Sequence, residues 1–385
     1  MEYRLLGRTD LRTSVIGLGT EYLNHRSRTT VVSVVRKAIE AGVNYLDVVF
    51  SFKEYRDNLG AALQGRRDKV LLAGHIGCAE TRGQYRLSRD GDENDRLFHD
   101  LLRRLGTNEV DVLMIQMVNR PESVDAILKP RGLMDLAQRL RREGKARHIG
   151  VSGHKVPALV KLLESCPVDV VMFPINIAWD MAPGRKAIYD ACRQQGVGLV
   201  AMKVFGGGRV FAGSPGRKAS KGDRSGITPV QCLSYALAQP GVGSAVPGVR
   251  NTAQLESVLK YVTAGKGQRA YKSIIADFRE DLRGNCVYCN HCLPCPVGID
   301  IGKTIRALDA AQGRRPASEL RARVNFYYPG RIRTSSEEKL RGKALACTEC
   351  GACVKRCPFD VDVIARMREA APIPRPAASP ERRRP

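Results

Sequence analysis

Along the first two-thirds of the chain, short and nearly continuous apolar runs alternate with longer stretches in which apolar residues recur every three or four positions. The runs are SVIGLGT, NYLDVV, VLLAGHI, VDVLMIQ, ARHIGVS, VDVVMFPI, GLVAMKVF and GVGSAVPGV. Their Val- and Ile-rich composition and lack of polar alternation predict strands buried on both faces. The stretches between them have helical spacing. In GLMDLAQRLRREGK, Leu133, Leu136, Ala137 and Leu140 share one face. Gly42 and Gly144 stand where two of these helices should stop, because glycine takes the left-handed turn after a helix without a Cβ clash. Eight such units in about 265 residues predict a closed (β/α)8 TIM barrel. A doubly wound open sheet is the alternative, but no GxGxxG follows the first strand. The opening YRLLGRTDLR predicts a hairpin that plugs the barrel bottom. Barrel chemistry sits at the carboxyl ends of strands. The residues there are Asp47, His75, Gln116, Ser152 with His154, Asn176, Lys203 and the PGVR of the eighth run.

After the eighth unit the pattern changes to cysteine. CVYCNHCLPCP starts at Cys286, and CTECGACVKRCP starts at Cys347. Three thiols at i, i+3 and i+6 can wrap one corner of an inorganic cube, and a fourth before proline is directed elsewhere. In two-cluster bacterial ferredoxins that fourth cysteine serves the other cluster. The spacing therefore predicts two [4Fe-4S] clusters with crossed ligation: Cys286, Cys289, Cys292 and Cys357 for one, Cys347, Cys350, Cys353 and Cys295 for the other. Zinc is the rival, with His291 as an extra donor, but zinc sites pair two CxxC units and need neither a third CxxC step nor the proline. Disulfides are the blander reading, and a long chain without a secretory signal argues against them. The other four of the twelve cysteines, Cys78, Cys166, Cys192 and Cys232, are scattered and read as small buried hydrophobes.

Composition adds bounds. No apolar run reaches the roughly 18–20 residues of a membrane span, and MEYRLLGRTDLR lacks the apolar core of a signal peptide, so we expect a soluble cytoplasmic protein. The formal charge of +24 favours acidic partners such as a ferredoxin or flavodoxin. Arginines are spread along the whole chain with no basic stripe interleaved with aromatics, which argues against nucleic acid. The expected organisation is a barrel over 1–265, a linker helix over 266–284, a ferredoxin-like iron–sulfur domain over 285–365, and a disordered Pro/Arg-rich tail over 366–385.

The stretches YRLLGRTDLRTSVIGLGT, GVNYLD, LGAALQGRRDKV, EGKARHIGVSGH, MFPIN, VAMKVFGGG and AVPGVRNTAQLESV carry a resemblance. The chain resembles the aldo-keto reductase superfamily, in the bacterial branch with a C-terminal ferredoxin-like domain. The resemblance implies NAD(P)H-dependent carbonyl reduction by a Tyr, Lys, Asp and His tetrad. Position by position, only the aspartate survives, as Asp47; the tyrosine falls on Phe52, the lysine on His75 and the histidine on Gln116. Phe52 has no ionisable proton and cannot be a general acid. Tyr55 and Lys53 are substitutes by proximity alone. His75 is of a type that can do acid–base work near neutral pH, with capping of its strand as the bland alternative. His25 and His99 read as surface residues. For the nucleotide, the resemblance implies that Pro247, Gly248, Arg250 and Gln254 hold the adenosine phosphate, with Arg250 suited to a 2′-phosphate. Ser152 and Asn176 match contacts to the nicotinamide amide. The pattern is only half kept: two further polar contacts fall on Ser257 and Val258, and the stacking aromatic falls on Met202.

Two functions remain open. One is a redox enzyme in which Asp47, His75, Gln116 and Lys203 act on a small-molecule substrate, with or without NADPH, while clusters relay single electrons. A flavin would join hydride to one-electron chemistry, but no motif supports one. The other is a non-catalytic electron-transfer or scaffold subunit that docks an acidic redox partner. Convergence of His75, Asp47 and Lys203 on one mouth distinguishes the first from the second.

Overall fold

The computed structural model describes residues 1–81, 84–177, 180, 184–206, 227–272, 275, 284, 286, 292–312, 342–357 and 360–371. Contacts divide the chain into two compact units that part between Ala276 and Asp277.

The first unit opens with the antiparallel hairpin β1 (Tyr3–Leu5) and β2 (Arg12–Ser14). Its turn carries Leu6 and Leu11 into the barrel core beside Tyr45, Val112, Val170 and Val200. Gly7 is required there: its φ is 60°, and a Cβ would lie 2.2 Å from the amide nitrogen of Gly198. The hairpin thus plugs the barrel as its sequence predicts.

Eight strands make the barrel sheet, running parallel from β3 (Leu18–Gly19) through β4 (Tyr45–Val48) and β5 (Leu71–Ile76). A short antiparallel hairpin, β6 (Cys78–Thr81) and β7 (Gln84–Leu87), then intervenes. The sheet resumes with β8 (Val110–Ile115), β9 (Ala146–Ser152), β10 (Val170–Pro174), β11 (Gly198–Met202) and β12 (Val242–Val246). Bridges from Ile16 to Ala245 and from Gly19 to Gly248 join β12 to the β3 edge and close the ring. All eight strand predictions fall on these strands. The β6–β7 hairpin was not anticipated, because its residues carry no alternation long enough to stand out.

The helices are α1 (Arg28–Glu40), α2 (Lys53–Leu63), α3 (Gly91–Leu105), α4 (Pro121–Leu128), α5 (Leu133–Arg142), α6 (Val156–Ser165), α7 (Ala187–Gln194), α8 (Pro229–Leu237) and α9 (Thr252–Thr263), with a single turn α10 (Lys266–Arg269). Local sequence sets their ends. Ser27 caps α1 by accepting from the Thr30 amide, and Gly42 follows it at φ 87°. Asp90 caps α3, whose last turn holds Arg103 and Arg104 and whose cap, Gly106, is left-handed. In α5 the predicted face Leu133, Leu136, Ala137 and Leu140 is buried, joined by Met134.

The second unit repeats one local device. Helix α11 (Ile301–Ala311) follows Ile299-Asp300, and helix α13 (Val363–Ala370) follows Val361-Asp362, with a short α12 (Ala352–Lys355) between. Asp300 accepts from the Lys303 amide at 3.2 Å, and Asp362 accepts from the Ala365 amide at 2.9 Å. Ile299, Ile301, Val361 and Val363 are all buried. Arg366 on α13 pairs with Asp309 on α11. Among the described residues, no helix is long and apolar enough to cross a membrane. The segment between the cysteine blocks that includes YYPGRIR, most of the linker helix and the far end of the tail lie outside the described residues.

Candidate active site and cluster-binding cysteines

The polar centre of the barrel is a pair. Asp47 ends β4 and His75 ends β5, adjacent parallel strands. His75 Nε2 lies 2.6 Å from Asp47 Oδ1, with side-chain exposures of 2% and 10%. A carboxylate can only accept here, so Nε2 carries the proton and donates it. In the neutral ring this leaves Nδ1 as a bare acceptor. Nδ1 is buried and has no hydrogen-bond partner among the described residues. A buried polar atom left unpaired costs about 1–3 kcal/mol, so its retention calls for an explanation.

The loop after β4 is pinned from three sides. Tyr55 Oη accepts from the Val49 amide at 3.3 Å, Gln116 Nε2 donates to the Val49 carbonyl at 3.4 Å, and the buried Arg56 donates to the Phe50 carbonyl at 2.9 Å. Arg56 is itself fixed by Asp100 at 3.1 Å. Phe52 sits in this loop, edge-on to Phe50 with ring centroids 5.4 Å apart and 5.8 Å from the exposed His25. Tyr55 is a poor substitute proton donor. It is buried, its hydroxyl is already paired with Thr20 Oγ1, and burial pushes its ionisation far above the ordinary range. Lys53 is exposed at the start of α2. Gln116 contacts the backbone of this loop and so helps to position it.

Lys203 follows β11 at φ 53°, a left-handed conformation uncommon for a side-chain-bearing residue. Burial pushes its ammonium down to about 8, against some opposition from Glu21. Asp47 stands near the carboxyl end of β4 and Lys203 just past that of β11, and because these strands run parallel in one closed sheet both belong to the same face of the barrel. His154 hydrogen-bonds through its amide to Asn119 at 2.7 Å and is held well below the usual histidine range by burial and then by Lys203, Lys155 and Arg185. The folded chain holds Lys203 at about 8 against an ordinary 10.5, so its protonation opposes folding. That penalty is absent above 10.5, grows as pH falls towards 8 and is complete below it. Lys203→Met should stabilise the chain by about 1–3 kcal/mol at pH 7, with a gap that narrows as pH rises from 8 to 10.5. Urea unfolding of both proteins across that range checks this; a gap independent of pH would contradict it.

The predicted nucleotide residues cluster at the ends of β9 to β12. Ser152 and Asn176 are buried, and Asn176 Nδ2 donates to the Lys203 carbonyl at 3.1 Å. Arg250 is exposed and lies over the Tyr22 ring at 4.9 Å. Gly248 lies close against that ring: a Cβ there would be 2.3 Å from Tyr22 Cδ2. The amide oxygen of Gln254 accepts from the Arg250 backbone amide at 2.9 Å, so Gln254 also serves as a local brace. Arg250 has no acidic side chain in contact among the described residues, which leaves its guanidinium able to take an anion.

Sequence reading missed a second buried network. Asp180 Oδ2 accepts from Tyr189 Oη at 2.6 Å and from Tyr235 Oη at 3.0 Å, and Asp180 Oδ1 pairs with Arg185 at 3.2 Å. Burial holds its carboxyl above the usual range. No motif marks these residues; the fold brings together positions 9 and 55 apart in the chain.

In the second unit, Cys295, Cys347, Cys350 and Cys353 line one cavity with the apolar side chains of Ile299, Ile301, Ile364 and Met367. Glu349 at φ 55° and Gly351 at φ 73° turn the chain around it. Burial pushes the Cys353 thiol up, and Cys347 and Cys350 nearby push the same way. Among the described residues no three His, Cys, Asp or Glu side chains are grouped to hold a single metal ion. Tetrahedral zinc would need its sulfurs about 3.8 Å apart. Four thiols around an apolar-walled cavity suit a larger, thiolate-held body. Of the other predicted set, Cys286 and Cys357 are half-buried and Cys292 is buried, while Cys289 and His291 lie outside the described residues. Of the scattered cysteines, Cys78, Cys192 and Cys232 are buried as expected and Cys166 is only partly so.

The aldo/keto reductase family pattern matches residues 15–228, more than half of the chain. The chain belongs to that family. A 4Fe-4S dicluster domain matches residues 285–362. This aldo-keto reductase is 22% identical over 311 residues to an uncharacterised oxidoreductase of Bacillus subtilis, covering 73% of this chain and 98% of the relative. It is 25% identical over 298 residues to L-galactose dehydrogenase of Arabidopsis thaliana, covering 68% of this chain and 88% of that enzyme. The solved structure of an aldo-keto reductase from Bacillus halodurans in its holo form superposes with a TM-score of 0.58 at 21% identity, covering 71% of this chain and 96% of the other, which speaks for the barrel fold. The protein is therefore an aldo-keto-reductase-type oxidoreductase with a C-terminal iron–sulfur domain.

Proposed function

We propose that this aldo-keto reductase handles protons through Asp47 and His75 in place of the tyrosine and lysine of the family tetrad, and that its second unit carries two [4Fe-4S] clusters. The observation that carries the first part is the buried 2.6 Å pair with an unpartnered Nδ1. Asp47 fixes the ring and its tautomer; Nδ1 is then an acceptor for a substrate hydroxyl proton, or a donor to a carbonyl oxygen when the ring is charged. Phe52 removes the family's usual proton donor from the neighbouring loop, and Gln116 holds that loop through Val49. Arg250, Gly248 and Pro247 would take the phosphates of NADPH, and Ser152 and Asn176 its nicotinamide amide. Bound there, NADPH would supply hydride. The four thiols around the Cys347 cavity support one of the clusters, which would supply single electrons. A flavin remains without support from any motif. The setting is cytoplasmic in this reading, and an acidic ferredoxin or flavodoxin is the exchange partner.

The non-catalytic reading draws on Phe52 and on the Tyr22 ring lying close against Gly248. A fluorescence titration of anaerobically purified, cluster-replete protein with NADPH tests whether the barrel is still a cofactor site. Saturable micromolar binding, weakened about tenfold or more by Arg250→Ala, is expected, since a charge-assisted phosphate contact is worth roughly 1.5–3 kcal/mol. Absence of binding would mark the nucleotide site as a relic and turn the search to an acidic ferredoxin or a partner subunit.

A further inference from the structure

We propose that the surface around Cys350 is the docking face for a small acidic electron-carrier protein, which makes the cluster held by Cys295, Cys347, Cys350 and Cys353 the port through which electrons enter or leave. The proposal rests on the iron–sulfur reading above. Cys350 is exposed, whereas Cys292 of the other set is buried. Six large hydrophobic side chains are conspicuously exposed among the described residues; one of them lines this cavity and two more stand within two residues of cysteines that line it. Leu345 is 61% exposed two residues before Cys347, Val354 is 36% exposed next to Cys353, and Val297 is 40% exposed and lines the cavity itself. Apolar side chains at the rim of a redox centre are what a short-lived carrier needs in order to exclude water at closest approach, and such interfaces are small.

Charge selects the carrier. Lys343 and Lys355 flank the patch, are exposed, and make no ion pair among the described residues. Arg356 is adjacent. The one acid in the stretch, Glu349, is neutralised by Arg368, whose Nε and Nη2 donate to its two oxygens at 2.7 and 2.5 Å. The stretch 343–356 therefore carries an excess of positive side chains beside its exposed apolar ones, the complement of a carrier with acidic residues around its own exposed cluster. Opposite charge speeds encounter and orients it, and its effect weakens with salt.

The test uses anaerobically purified full-length protein and a small acidic two-cluster ferredoxin as probe, with affinity measured calorimetrically at 50 and 300 mM salt. We expect saturable binding that weakens about tenfold between these salts. Lys343→Glu combined with Lys355→Glu should weaken it about tenfold again at low salt, and Leu345→Ala should weaken it at both salts. Lys129→Glu combined with Lys260→Glu makes the same change in net charge on the barrel unit and should leave binding as it was. Equal loss in the two charge-reversed pairs, no binding by cluster-replete protein, or self-association at this face in place of carrier binding would each overturn the proposal. Cluster absorbance read on the same samples reports separately on the iron–sulfur reading: protein that cannot be loaded with clusters counts against that reading and not against the docking face.

Discussion

Cys295→Ala is expected to abolish the same cluster as Cys350→Ala, although Cys295 stands in the first cysteine block and Cys350 in the second. Each variant should keep about half of the iron and sulfide of the parent, about four iron atoms in place of about eight, and the two should share one residual paramagnetic signal after reduction. The double variant should lose no more than either single one. Cys292→Ala should remove the other cluster and leave a different signal. The reason is geometric: Cys295 lines the cavity that Cys347, Cys350 and Cys353 also line, while Cys292, three residues earlier, is buried and does not. Because the thiols are brought together only in the folded chain, loss of the cluster should also lower the midpoint of unfolding of the second unit. If Cys295→Ala and Cys292→Ala remove the same cluster, ligation follows the blocks and the crossed assignment fails.

His75→Phe should lower kcat for NADPH-dependent reduction of a small aldehyde or quinone by about 10²–10⁴, the usual range for loss of a general acid–base. KM should change far less. Asp47→Asn keeps the shape of the pair but no longer forces the proton onto Nε2, so its loss should be smaller and of the same kind. A purely structural pair would behave differently: either variant would lower the unfolding midpoint, and kcat per folded, cluster-replete molecule would be unchanged. Phe52→Tyr tests the complementary point. The tyrosine would arrive without the lysine that the family places beside it, so activity should stay within a few-fold of the parent.

Legibility followed the range of the interactions involved. The eight strands, the plugging hairpin and the glycine stops of α1 and α5 rest on residues within a few positions of one another, and each was readable. The two cysteine blocks were readable for the same reason, since thiols at fixed short steps restrict what they can bind. The β6–β7 hairpin escaped because four-residue strands carry too little periodicity. The network of Asp180, Arg185, Tyr189 and Tyr235 escaped because its members belong to separate elements with no shared spacing.

At the site, the sequence by itself established which residue types stand at the strand ends. It placed Phe52 in the loop where the family resemblance puts a tyrosine, and it put His75 on the strand next to that of Asp47. Whether those two touch depended on the register of β4 against β5, which pairs Asp47 with Ala73 and Val48 with Gly74 and so sets His75 beside the carboxylate. The same holds for Tyr22 against Gly248, Gln116 against Val49, and Cys295 beside Cys347. Each joins residues tens to hundreds of positions apart, and local pattern cannot fix such distances. Barrel closure and packing determine them, because a parallel sheet tolerates only one register once its core side chains interlock.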